Sequence, residues 1–143
     1  MTKLFAKILC PMDFDEPSLA GLMQACELAQ EHDGTIYLLH VVPFIGAGEA
    51  LIDYSLMEVD ARDKLAELAR EHLQGKVKFE VRTQVGDPAA AILREIERAG
   101  ADSVVMATHG RTGVKRLLLG SVAERVVRES PRPVLTVRPP EQS

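Results

Sequence analysis

Asp102-Ser103-Val104-Val105-Met106-Ala107-Thr108-His109-Gly110-Arg111-Thr112-Gly113-Val114-Lys115-Arg116-Leu117-Leu118-Leu119-Gly120-Ser121-Val122-Ala123-Glu124-Arg125-Val126-Val127-Arg128-Glu129-Ser130 makes three structural statements in order. Ser103 to Met106 is a short, valine-rich apolar run, as in a buried strand. Ala107 to Leu119 is a small-residue loop carrying Gly110 and Gly113 with Arg111, Lys115 and Arg116. At Gly120-Ser121 a helix begins, with apolar residues at Val122, Ala123, Val126 and Val127. Strand, glycine-bearing loop and helix start form the layout of an anion site. The first N–H groups of a helix lack intrahelical partners, and the dipole there favours negative charge. Gly120 lets a ligand approach the main chain, and Ser121 can either cap the helix or donate its hydroxyl to a phosphate oxygen. Spacing alone also fits glycines that merely turn the chain. The loop is not a Walker A loop, since no Gly-Lys-Ser/Thr follows the glycines, and Gly-x-Gly-x-x-Gly is absent.

Outward from this stretch, strand and helix patterns alternate. Leu4 to Met12 reads as a strand covered on both faces. Asp15 or Glu16 caps a first helix with Pro17 in its first turn and Leu19, Leu22, Met23, Cys26 and Ala29 at helical spacing. Asp33-Gly34 closes it. Thr35 to Val42 is a second buried strand, stopped by Pro43. Phe44 to Ala50 is a loop with Gly46 and Gly48, either a cover for a ligand or an ordinary connection. A long helix then runs to Leu73, with Gly75 as its C-cap. Val77 to Val85 alternates, with Lys78, Glu80 and Arg82 on a wet face that discourages edge pairing. Asp87-Pro88 starts a third helix that ends at Gly100. After the fourth helix, Pro131-Arg132-Pro133 leads into a last strand, Val134 to Val137. Five strands separated by four helices call for an α/β fold: a mostly parallel sheet with helices on both faces.

Composition limits the functions available. The chain has 143 residues, of which 46% are apolar, and a net charge of −4. These values fit one domain, residues 1–143, with an ordinary core. No basic face argues for nucleic acid, and the chain has no Trp to stack single strands. Cys10 and Cys26 sit in apolar patterns and read as small core residues. The apolar runs are too short to span a bilayer, so no membrane is expected and the cytoplasm is the expected location.

The focal stretch resembles the C-terminal signature of the universal stress protein family, Gly-x2-Gly-x9-Gly-Ser/Thr. It falls here on Ala107-x2-Gly110-x9-Gly120-Ser121, with Ala107 in place of the first glycine. The resemblance extends to Ile8-Leu9-Cys10-Pro11-Met12-Asp13 and to Pro131-Arg132-Pro133-Val134-Leu135-Thr136-Val137. It implies a doubly wound five-stranded parallel sheet of order 3-2-1-4-5. In that order a ligand crevice lies at the carboxyl ends of strands 1 and 4. Pro11, Met12 and Asp13 come from strand 1 and Val41 from strand 2. Met106, Ala107 and the glycine loop come from strand 4. The expected ligand is an adenine nucleotide, ATP or AMP, with Mg2+ accompanying the phosphates. N–H groups around Gly110, Gly120, Ser121 and Val122 would hold phosphate. Arg111, Lys115 and Arg116 either pair with phosphate or point to water. Asp13 either accepts from ribose or adenine or caps the turn before the first helix. Val41 and Met106 either line an adenine slot or are plain core.

The resemblance further implies a non-catalytic stress-response regulator with an unidentified protein partner. It is expected to be a homodimer through Val134–Val137, the uncharged edge strand, with a monomer as the alternative. The rival reading is a slow ATPase or nucleotidyl-transfer enzyme; His109 is its general-base candidate, without an orienting partner in the sequence. A phospho-acceptor receiver domain would need an aspartate ending strand 3 and a lysine ending strand 5. The chain supplies Asp87, better explained as a helix cap, and Arg138.

Overall fold

The computed structural model describes residues 3–45, 53–109 and 119–139. The elements run β1 (Lys7–Pro11), α1 (Glu16–His32), β2 (Thr35–Pro43), α2 (Tyr54–His72), β3 (Lys78–Gly86), α3 (Pro88–Ala99), β4 (Ser103–Ala107), α4 (Ser121–Glu129) and β5 (Val134–Val137). The strands form one sheet ordered β3-β2-β1-β4-β5, parallel throughout. This is the doubly wound order expected above.

The period-two alternation of the strands sorts the core into two layers. Ile8 and Cys10 of β1, Ile36 and Leu38 of β2 and Val105 of β4 face α1 and α2, against Leu22, Cys26, Leu65 and Leu73. Leu9, Leu39, Val41, Val104 and Met106 face α3 and α4, against Ile92, Ile96, Ala123 and Val126. Burial on both faces explains why the central strands read as unbroken apolar runs. Cys10 and Cys26 belong to the first layer. Burial pushes the Cys10 thiol up to about 12 and raises that of Cys26, so both are inert packing residues.

Two glycines permit close approach. A Cβ on Gly21 would lie 3.4 Å from the Ala107 nitrogen, so α1 rests directly on the end of β4. A Cβ on Gly34 would collide with the Phe5 carbonyl oxygen. The residue that closes α1 in the left-handed conformation is Asp33, at φ 51°. Leu73 is the C-cap of α2, and Gly75, at φ 82°, lies in the turn beyond it.

β1 is shorter than the apolar run from Leu4 to Met12. Its first residues are held otherwise: the buried Asp102 carboxylate accepts from the N–H groups of Phe5, Ala6 and Lys7 at 2.8, 3.0 and 2.7 Å. Phe5 takes φ 62° to present them. The strand begins only where these bonds end.

Candidate functional site

The crevice opens where two neighbouring strands part. β1 pairs with β4 only at Ile8–Ser103 and Leu9–Val104. β1 keeps pairing with β2 as far as Pro11–Leu39, and β4 with β5 as far as Ala107–Val137. The divergence continues past the strands. Met12 donates its N–H to the Leu39 carbonyl at 2.8 Å, and Thr108 donates to the Val137 carbonyl at 2.9 Å. Each chain is drawn to its outer neighbour, which leaves a gap at the topological switch point, the place where open α/β sheets bind ligands.

One wall of the gap is the β1–α1 turn. Asp13 N–H bonds the Ser18 hydroxyl at 3.0 Å, and Ser18 N–H and Oγ both bond Asp15 Oδ1, at 2.9 and 2.5 Å. Asp15 is therefore the α1 cap. Asp13 holds its side chain 66% exposed with Oδ1 4.0 Å from His40 Nδ1. Pro11 ends the strand, half-buried. Met12 faces away: its side chain packs in the α1/α2 layer, its N–H is given to Leu39, and its carbonyl bonds His40. Met12 spaces Asp13 from the sheet rather than lining the gap with its side chain.

The other wall is the start of α4. The Gly120 N–H donates to the Thr108 carbonyl at 2.7 Å, tying the two ends of the glycine loop together. That donor is thereby used, so the N–H groups open to an anion begin at Ser121. Gly120 is the N-cap, at φ −70° and ψ 169°, and no side chain caps this helix among the described residues. Ser121 is the first helical residue and is exposed, so it does not cap the helix. The other three helices differ. Asp15, Asp53 and Asp87 accept from Ser18, Ser55 and Ala90 N–H at 2.9, 3.1 and 3.0 Å. The start of α4 thus keeps N–H groups and a favourable dipole with no side-chain cap, and the acid of its first turn, Glu124, is paired with Arg128 at 2.9 Å.

Val41 and Met106 are 7% and 6% exposed and share the α3/α4 layer with Val122 packed at its margin. The fold brings these three and Gly120-Ser121 to the same end of the same face. Ala107 ends β4 half-buried beside them. Gly110, Arg111, Gly113, Lys115 and Arg116 lie outside the described residues, as does the segment from Gly46 to Ala50. His109 Nδ1 lies 3.1 Å from Thr108 Oγ1. Among the described residues no three His, Cys, Asp or Glu side chains converge to hold a metal ion. No described helix is long and apolar enough to cross a membrane.

A five-stranded parallel sheet wound in both directions from β1, with helices on both faces, defines a doubly wound α/β protein. The model of the universal stress protein family matches residues 4–138, and the chain belongs to that family. Universal stress protein MJ0531 of Methanocaldococcus jannaschii is 34% identical over 145 residues, covering 97% of this chain and 85% of the relative. The solved structure of MJ0577, from the same archaeon, superposes with a TM-score of 0.78 at 27% identity, covering 99% of this chain and 100% of the other. A universal stress protein in complex with cAMP superposes with a TM-score of 0.71 at 20% identity, over 96% of this chain and 100% of the other. Another, from Archaeoglobus fulgidus in complex with dAMP, gives 0.64 at 20% identity, over 95% and 98%. At that identity the last two establish likeness of fold.

Proposed function

We propose that this universal stress protein binds an adenine nucleotide, ATP or AMP, and acts as a non-catalytic stress-response regulator. The phosphates sit at the start of α4, on the N–H groups of Ser121 and Val122 with help from the Ser121 hydroxyl. The ribose or adenine lies toward Asp13, with Val41, Met106 and Ala107 beneath. The observation that carries this reading is the contrast in capping: three helices carry an aspartate at their start, while α4, beside the parting of β1 and β4, carries a glycine and no side-chain cap. The adenine nucleotides held by two structural neighbours support the choice of ligand. Charge-assisted hydrogen bonds contribute roughly 1.5–3 kcal/mol each. Three or four match the roughly 8 kcal/mol of a micromolar complex. Calorimetric titration with ATP, ADP and AMP should give micromolar binding without phosphate release. Absence of both heat and thermal shift with all three would end the proposal; steady release of phosphate would favour the enzyme reading.

The regulator acts as a homodimer joined through β5. This strand is an outer edge of the sheet, with Leu135 39% exposed and no charge from Val134 to Val137. The opposite edge, β3, carries Lys78 and Glu80. Pairing of β5 with its copy about a two-fold axis would satisfy the outer N–H and C=O groups. Light scattering at micromolar concentration should give twice the chain mass, and Leu135→Lys should halve it. A monomeric mass for the unmodified protein contradicts the dimer.

A further inference from the structure

We infer that the cavity between α1 and α2 is a second ligand site, built for a small amphipathic amine: an apolar body ending in an ammonium. The inference stands apart from the nucleotide reading. The cavity lies on the α1/α2 side of the sheet, whereas Val41, Met106 and Val122 of the crevice lie on the α3/α4 side. Its volume is about 360 Å³, and its apolar walls are Met12, Phe14, Leu19 and Leu68. Small-molecule pockets run from roughly 300 to 1,000 Å³ with mostly apolar walls and a few placed polar groups. Phe14 stands in this wall on a backbone of φ 61°, which an aromatic residue enters only when its surroundings impose it. Its ring already attracts an ammonium: Lys64 Nζ lies 5.6 Å from the ring centre, within cation–π range.

The polar groups of the wall choose the charge of the ligand. Asp15 uses one oxygen within the chain, where Oδ1 accepts from the Ser18 N–H and hydroxyl. Its Oδ2 is buried and has no partner among the described residues. A buried carboxylate oxygen left unsatisfied is costly, and a donor entering the cavity would relieve it. The rim repeats this preference. Glu16 stands on α1, and Glu67 and Glu71 stand on α2. The last two are four residues apart on one helix face, a like-charge pair that weakens a helix. Among the described residues Glu67 makes no ion pair or hydrogen bond, and Glu71 has only His72 Nε2 at 3.8 Å. Lys64, the cation of the wall, lies 3.3 Å from Asp60. Four carboxylates thus face one ammonium that is already paired. An anion is repelled there, a neutral molecule gains nothing from Glu67 and Glu71, and an ammonium is drawn in.

Three probes with the same apolar body supply the test: 4-phenylbutylamine, 4-phenylbutanol and 4-phenylbutyrate, which are cationic, neutral and anionic at pH 7. Each is titrated into the full chain without nucleotide while the methyl resonances of Met12, Leu19 and Leu68 are followed. These should shift saturably, with the amine bound about tenfold more tightly than the carboxylate, the weight of one charge-assisted hydrogen bond. Asp15→Asn keeps an oxygen to cap α1 and turns the unpartnered acceptor into a donor, so it should erase that preference. Glu67→Gln with Glu71→Gln, both at exposed positions, should weaken the amine about threefold, the weight of exposed ion pairs, and leave the alcohol unchanged. This double variant carries the test if Asp15→Asn folds poorly. Methyl signals that do not move, equal affinity for the three probes, or an amine preference that survives both variants overturns the inference. Displacement of the amine by AMP would place the probe in the crevice and overturn it too. Failure of AMP to bind at all ends the nucleotide reading and leaves the amine site standing.

Discussion

The starts of α3 and α4 are neighbours treated in opposite ways. Both lie at the carboxyl end of the sheet, and Arg125 of α4 reaches across to Asp87 at 2.8 Å. At α3 the Asp87 carboxylate accepts from Ala90 N–H, and Pro88 removes one donor outright. At α4 the cap is Gly120, whose backbone has the extended conformation of the Asp15 and Asp87 caps yet no side chain to offer. One helix start is finished within the chain, while the other keeps its donors. The difference separates a position spent on stability from one kept for a ligand.

The largest expected effect comes from making α4 resemble α3. Gly120→Asp places a carboxylate at an N-cap with φ −70°, where no backbone strain arises. The fold should hold or gain slightly. Nucleotide affinity should fall about a hundredfold or more, since two charge-assisted bonds of roughly 1.5–3 kcal/mol are replaced by internal ones. Gly120→Val tests bulk without charge and should also abolish measurable binding with the melting temperature nearly kept. Wild-type affinity in either variant places the phosphate elsewhere.

The converse change is smaller and of a different kind. Asp87→Ala removes the α3 cap and the partner of Arg125, and should cost about 1 kcal/mol of stability. That corresponds to a melting temperature lower by roughly 4 °C, with AMP affinity unchanged. A drop in affinity comparable to that of Gly120→Asp would mean that the two helix starts are not separate in function.

The smallest effect concerns acid. The Ser55 hydroxyl, ahead of the backbone N–H groups of Leu56 and Ser55, holds the Asp53 carboxyl below its usual 3.8. A depressed carboxylate stabilises above its unfolded value, and that contribution is lost as pH falls through the folded one. Amide protection in the first turn of α2, measured relative to the intrinsic exchange rate at each pH, should therefore fall in acid below 3.8, while the start of α4 has no side-chain cap to lose. Equal acid sensitivity at both helices would blur the distinction between capped and uncapped starts.

The sequence made the capped region more legible than the open one. Asp87-Pro88 and Gly100 mark α3 by local chemistry alone, and the alternating apolar runs mark the two-layer core. At the site, the features that matter are tertiary. The Gly120 N–H is taken by Thr108, which no spacing reveals because the two residues meet only through the loop between them. Ser121 reads in sequence as either a cap or a phosphate donor, and only the helix boundary, which falls on it, removes the first. Met12 sat in the motif beside Asp13, but strand alternation turns its side chain to the opposite layer. His40 lay unremarked inside an apolar run; a polar residue near the end of a buried strand was the available signal. β1 read three residues too long at its start because the bonds from Asp102 that replace pairing there come from a residue 95 to 97 positions away.

Backbone amide resonances recorded during an AMP titration test the contrast most directly. The account expects the Ser121, Val122 and Ala123 signals to shift on binding while those of Ala89, Ala90 and Ala91, at the capped start of α3, stay in place. Saturable binding that leaves the α4 amides unmoved, or shifts both helix starts alike, would contradict it.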